Sequence, residues 1–69
     1  MAKGRFWVWV SYVDGTSDVR SSLTKAVARQ EAKDFVNRTN MHTGAKVEKV
    51  DLQERISNGA FITIETFRP

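Results

Sequence analysis

The residue types that could perform chemistry are few. There is one histidine, His42, and there are eight carboxylates: Asp14, Asp18, Glu31, Asp34, Glu48, Asp51, Glu54 and Glu65. A general base needs a nucleophile and an orienting partner within hydrogen-bond reach, and nothing near His42 in sequence supplies them. A lone histidine in a chain without cysteine does not make an ordinary transition-metal site. The carboxylates are scattered, with no pair spaced for acid–base work on a substrate. Asp14-Gly15-Thr16-Ser17-Asp18 begins like a calcium loop but lacks the remaining ligands and the closing glutamate. A hairpin turn accounts for it better. Gly4, Gly15, Gly44 and Gly59 are isolated, so no glycine-rich phosphate loop exists. The sequence therefore points to no catalytic residue, no metal, no cofactor and no small-molecule substrate. With 69 residues there is little room for the water-excluding cleft that catalysis needs. The expectation is a protein that acts by binding.

Two surfaces are candidates for that binding. The first is aromatic. Side chains alternate faces along a strand. In Phe6-Trp7-Val8-Trp9-Val10-Ser11-Tyr12-Val13, Phe6, Val8, Val10 and Tyr12 point one way, and Trp7, Trp9, Ser11 and Val13 the other. Both faces are apolar, whereas an antiparallel sheet with one wet face alternates apolar and polar. Assigning Phe6, Val8, Val10 and Tyr12 to a covering helix, with Ile62 and Ile64, leaves Trp7, Trp9, Phe61 and Phe67 on the open side. The reverse assignment exposes Phe6, Val8, Val10 and Tyr12 instead. An exposed contiguous apolar patch marks an interaction site, and tryptophan is enriched at binding hot spots. Aromatics on a sheet can also stack unpaired bases, with Arg5, Lys46, Lys49 and Arg68 flanking, but the RNA-recognition aromatic run is absent.

The second surface is basic. Lys25, Arg29 and Lys33 recur at i, i+4 and i+8 along one helix flank, without an acidic residue three or four positions earlier. Three phosphate contacts would give modest, salt-dependent affinity. No second helix exists to build a helix-turn-helix.

These side chains must be positioned by short elements. Residues 5–13 read as a strand, Asp14-Gly15 as a hairpin turn, and 16–22 as a thin edge strand. A helix is expected from Thr24, its N-cap, to Asn40 or Met41, with Ala28, Ala32, Phe35, Val36 and Thr39 on one face and an Asp34–Arg38 pair. Gly44 follows as a stop, and His42 falls near the helix C-terminus. Residues 45–56 read as a long strand, with a bulge or bend where alternation breaks between Val47 and Val50. Ser57-Asn58-Gly59 is a second hairpin signal, and 60–67 the last strand. The fold class is α+β: a single domain over residues 1–69, in β-β-α-β-β order, with a mostly antiparallel four-stranded sheet and one helix packed on one face.

Composition fits this reading. The charge is +3 and 28% of residues are charged, which suits solubility and permits an anionic partner without requiring one. No stretch approaches a membrane span, and Met1-Ala2-Lys3-Gly4-Arg5 before a short β-rich run is not expected to be a signal peptide. A chain without cysteine fits a reducing compartment, so a cytoplasmic location is expected. No motif assigns a family; the general look is that of short α+β proteins of phages and mobile elements. The first functional expectation is a non-enzymatic protein-binding module, either an inhibitor acting by occlusion or an accessory protein self-associating as a homodimer. The alternative is a nucleic-acid-binding module.

Overall fold

Aromatic and β-branched residues fill Phe6–Tyr12, which forms strand β1. The computed structural model of the chain describes residues 5–69, so the expectation about a leader at residues 1–5 falls mostly outside them. β1 turns through Asp14-Gly15 into β2 (Ser17–Ser22). Tyr12 N–H donates to the Thr16 carbonyl at 2.9 Å, and Gly15 N–H to the Tyr12 carbonyl at 3.1 Å. Gly15 takes φ 88°, a left-handed backbone that side-chain-bearing residues resist. The Ile56–Ala60 turn repeats this pattern, with Gly59 at φ 86°. It joins β3 (Val47–Arg55) to β4 (Phe61–Phe67). Both turns are three-residue loops closed by a glycine bulge, which matches the twist of the strands.

The helix, α1, spans Lys25–Phe35, with Thr24 Oγ1 accepting from the Val27 N–H at 3.3 Å. It ends about five residues before the expected Asn40 or Met41. Asn40 is the cause. Its N–H donates to the Ala45 carbonyl and its own carbonyl accepts from Gly44 N–H, both at 2.8 Å. Its side-chain Oδ1 accepts from the N–H groups of His42 and Thr43. Asn40 thus closes a separate turn, and Thr39 pairs with Lys46 across it. Thr39 is therefore exposed rather than on the helix face, Gly44 (φ 73°) belongs to this turn, and His42 sits in it rather than at a helix end. The expected Asp34–Arg38 pair is also absent: Asp34 accepts from Gln30 at 3.2 Å, and Arg38 lies over the Phe35 ring.

The sheet is antiparallel, in the order β2-β1-β3-β4, with one helix on one face: an α+β domain in β-β-α-β-β order. The core lies between α1 and the two central strands. It contains Val8, Val10, Tyr12, Ala28, Ala32, Phe35, Val47, Val50 and Leu52. Alanines at 28 and 32, both fully buried, let the helix approach the sheet closely. The expected bulge is present: Ser11 faces Lys49 while Tyr12 faces Val47, so Glu48 is the extra residue. Among the described residues, no helix is long and apolar enough to cross a membrane.

Candidate binding face on the sheet

The register fixes which side chains share the helix-free face. Trp7 stands between Ser21 and Gln53, and Trp9 between Val19 and Asp51. Gln53 in turn faces Thr63, and Asp51 faces Thr66. Val8 and Val10, one residue along, are fully buried under α1. The assignment of β1's two faces from sequence therefore holds, with Phe6 half-buried against the core.

The two tryptophans are not equivalent. Trp7 is half-buried and meets Phe61 edge to face, with centroids 5.6 Å apart and planes at 88°. Its indole N–H is sealed without a hydrogen-bond partner among the described residues, which costs about 1–3 kcal/mol. Packing, not polarity, holds the ring there. Trp9 keeps 42% of its surface exposed, beside Val19 at 40% and Phe61 at 47%. These residues, with Trp7 and Gln53, line a groove of about 210 Å³. The β3–β4 side of the same face is polar and internally satisfied. Thr66 donates to Asp51 at 2.7 Å, Gln53 to Thr63 at 3.3 Å, and Lys49 lies 3.6 Å from Asp51.

Phe67 does not belong to this face. It faces Val50 and packs on the core. The cause is a second irregularity: Leu52 faces Glu65 while Gln53 faces Thr63, so Ile64 is an extra residue and the parity of β4 flips. The expected burial of Ile62 and Ile64 under the helix also fails. Both stay exposed on the edge strand, beyond the strands that α1 covers. Sequence reasoning missed Val19, whose isolated position in a polar strand gave no signal beyond its odd-numbered register.

The basic row is broken at its centre. Arg29 forms a forked pair with Glu65 of β4, Nε to Oε1 at 3.0 Å and Nη2 to Oε2 at 3.4 Å. This pair raises the guanidinium's already high pKa, first through the hydrogen bond and then through charge. Lys25 and Lys33 are exposed and form no ion pair among the described residues. Arg5 pairs with Glu54 at 2.8 Å, and Arg68 is exposed at the far end of β4. Lys25, Arg29, Lys33, Arg5 and Arg68 thus do not act as one free cationic surface.

Two polar features lie on the helix side of β2. The Tyr12 hydroxyl donates to Asp18 Oδ2 at 2.7 Å, and burial, then this bond, push its pKa up to about 12. Arg20 and Arg38 both lie over the Phe35 ring, at 5.3 and 5.2 Å from its centroid. Among the described residues, no three His, Asp or Glu side chains gather as a metal site would require.

Searches of protein-family models, of curated proteins and of solved structures each find no match to this chain. The functional reading therefore rests on the geometry of the faces.

Proposed function

We propose that this chain is a non-enzymatic protein-binding module that grips a foreign protein through the groove around Trp9. The observation that carries this reading is the exposure of Trp9, Val19 and Phe61 around one apolar hollow, while Trp7 below it is packed in place. A rigid indole beside an apolar hollow suits an anchor side chain of a partner, with low entropy cost on this side.

The groove alone is too small to be a complete interface for any partner. The exposed parts of Trp9 and Phe61 come to roughly 200 Å², given about 150–250 Å² for a whole aromatic side chain. A stable interface buries about 800 Å² on each side. At about 25 cal/mol per Å², covering the groove contributes on the order of 5 kcal/mol before ordering costs. That suits one anchor within a larger contact that extends beyond the groove. A cytoplasmic setting belongs to the same reading, since the chain uses no cysteine. The nucleic-acid reading is weakened by Arg29 and Arg5, both held by carboxylates.

The test is parallel affinity capture from cells of the source by wild type, Trp9→Ser and a Lys25→Ala/Lys33→Ala variant. A protein retained by wild type and the lysine variant but lost by Trp9→Ser supports the reading. Equal capture by wild type and Trp9→Ser would contradict it.

A further inference from the structure

We infer that the outer edge of β2 is a self-complementary surface that pairs antiparallel with β2 of a second copy, about a two-fold axis at Val19. This goes beyond the groove reading and does not depend on it.

The two sheet edges differ. β4 is bulged at Ile64, which spoils it as a template. β2 pairs with β1 in unbroken register from Ser17 to Ser22, contains no proline, and is exposed from Ser17 to Ser21. Backbone groups alternate in direction along an antiparallel strand. Because Tyr12 N–H bonds the Thr16 carbonyl, Asp18, Arg20 and Ser22 turn theirs toward β1. Ser17, Val19 and Ser21 turn theirs outward, unpaired among the described residues.

The sequence of that edge is Ser17-Asp18-Val19-Arg20-Ser21, which reads the same about Val19 except that the charge changes sign. Antiparallel pairing centred on Val19 sets Asp18 opposite Arg20 of the second copy, and Arg20 opposite its Asp18. Ser17 then meets Ser21, and Val19 meets Val19, with the outward N–H and C=O groups in bonding positions. Shifting the register by two residues either way sets Asp18 against Asp18 or Arg20 against Arg20, which like-charge repulsion disfavours. Charges on an edge ordinarily block strand addition. Here they leave one self-pairing register favourable. The side chains are also pre-set. Asp18 is held by the Tyr12 hydroxyl through one oxygen, leaving the other free, and Arg20 rests on Phe35 without an ion pair among the described residues. An isologous contact of this kind closes as a dimer and not a fibre. It also carries the open face across the axis, since Val19 adjoins Trp9 in each copy.

The test is sedimentation of the full chain at concentrations up to about 1 mM, the range of weak affinities. Wild type is expected to show a monomer–dimer equilibrium. Asp18→Arg and Arg20→Asp alone should each associate about tenfold more weakly or worse, since every changed pair counts twice. An equimolar mixture of the two, and the double variant D18R/R20D, should associate like wild type. Restoration cannot come from the contacts to Tyr12 and Phe35, because Asp18→Arg loses the first, Arg20→Asp loses the second, and neither mixing nor combining the swaps returns either. Should the single swaps fail to fold, hydrogen exchange of wild type decides: the Val19 amide must gain protection with concentration. A wild type that stays monomeric, swaps that associate like wild type, or a mixture no stronger than its parts would overturn the proposal. Loss of dimer in Trp9→Ser, with the swaps unaffected, would also overturn it. The groove reading survives each of the first three outcomes, because its own test rests on Trp9 alone.

Discussion

Trp7 and Phe61 meet at 88° with ring centres 5.6 Å apart, and that contact divides the open face into a structural half and an available half. Trp7 →Ala removes the ring that supports the β3–β4 turn from below and should cost about 2–4 kcal/mol of stability. Trp9→Ala removes a ring already partly in water and should cost less, about 1–2 kcal/mol. Urea unfolding of the two variants checks the difference. Equal losses would mean that both rings are core.

Asn40 ties three segments together. Its Oδ1 caps the N–H groups of His42 and Thr43, and its Nδ2 donates to Thr16 Oγ1 at 2.9 Å in the β1–β2 turn. It is the only buried polar residue, at 7% exposure, among the described residues. Asn40→Ala should cost about 1–3 kcal/mol, because donors lose their acceptor away from water. Asn40→Asp keeps the Oδ1 acceptor and should cost less. Thermal unfolding of the two variants gives the ranking.

Much of this arrangement was legible because it is local. Asp14-Gly15 and Asn58-Gly59 fix both hairpins, Thr24 caps the helix, and the broken alternation around Glu48 marks the bulge. The helix end was not legible, since an apolar period of 3.6 continues through Thr39. The turn that Asn40 closes with Gly44 and Ala45, held by its bond to Thr16 far along the chain, takes the backbone out of the helix. Phe67 was assigned to the wrong face because a single extra residue, Ile64, reverses strand parity without changing composition. Arg29 looked uncompensated because its partner, Glu65, lies 36 residues away.

Tyr12 gives a pH dependence with a defined sign. Its pKa is raised from 10.0 to about 12 in the folded chain, by burial first and by Asp18 second. Above pH 10 the unfolded chain therefore loses this proton while the folded chain holds it. The contribution is complete below pH 10 and is lost as pH rises through about 12. Tyr12 is the only tyrosine, so tyrosinate absorbance reports it directly. The native midpoint should lie near 12, and near 10 in denaturant. Tyr12→Phe should remove this part of the alkaline loss.

Glu65 withholds Arg29 from other anions. Glu65→Gln should therefore steepen the salt dependence of any nucleic-acid binding by about one phosphate's worth of slope. Titration of a duplex probe at several salt concentrations measures it. An unchanged slope would mean that the Arg29–Glu65 pair does not restrain the basic row.

The claim on which the reading depends is that Trp9 faces solvent from a folded protomer. Trp7→Phe leaves Trp9 as the sole indole, because the chain has only two. Iodide quenching of this variant's fluorescence tests the claim most directly. The account predicts emission that iodide quenches clearly but less than free tryptophan, in keeping with 42% exposure, in protein that circular dichroism shows to be folded. Blue-shifted emission that iodide cannot reach would place Trp9 in the interior and leave the groove without its anchor.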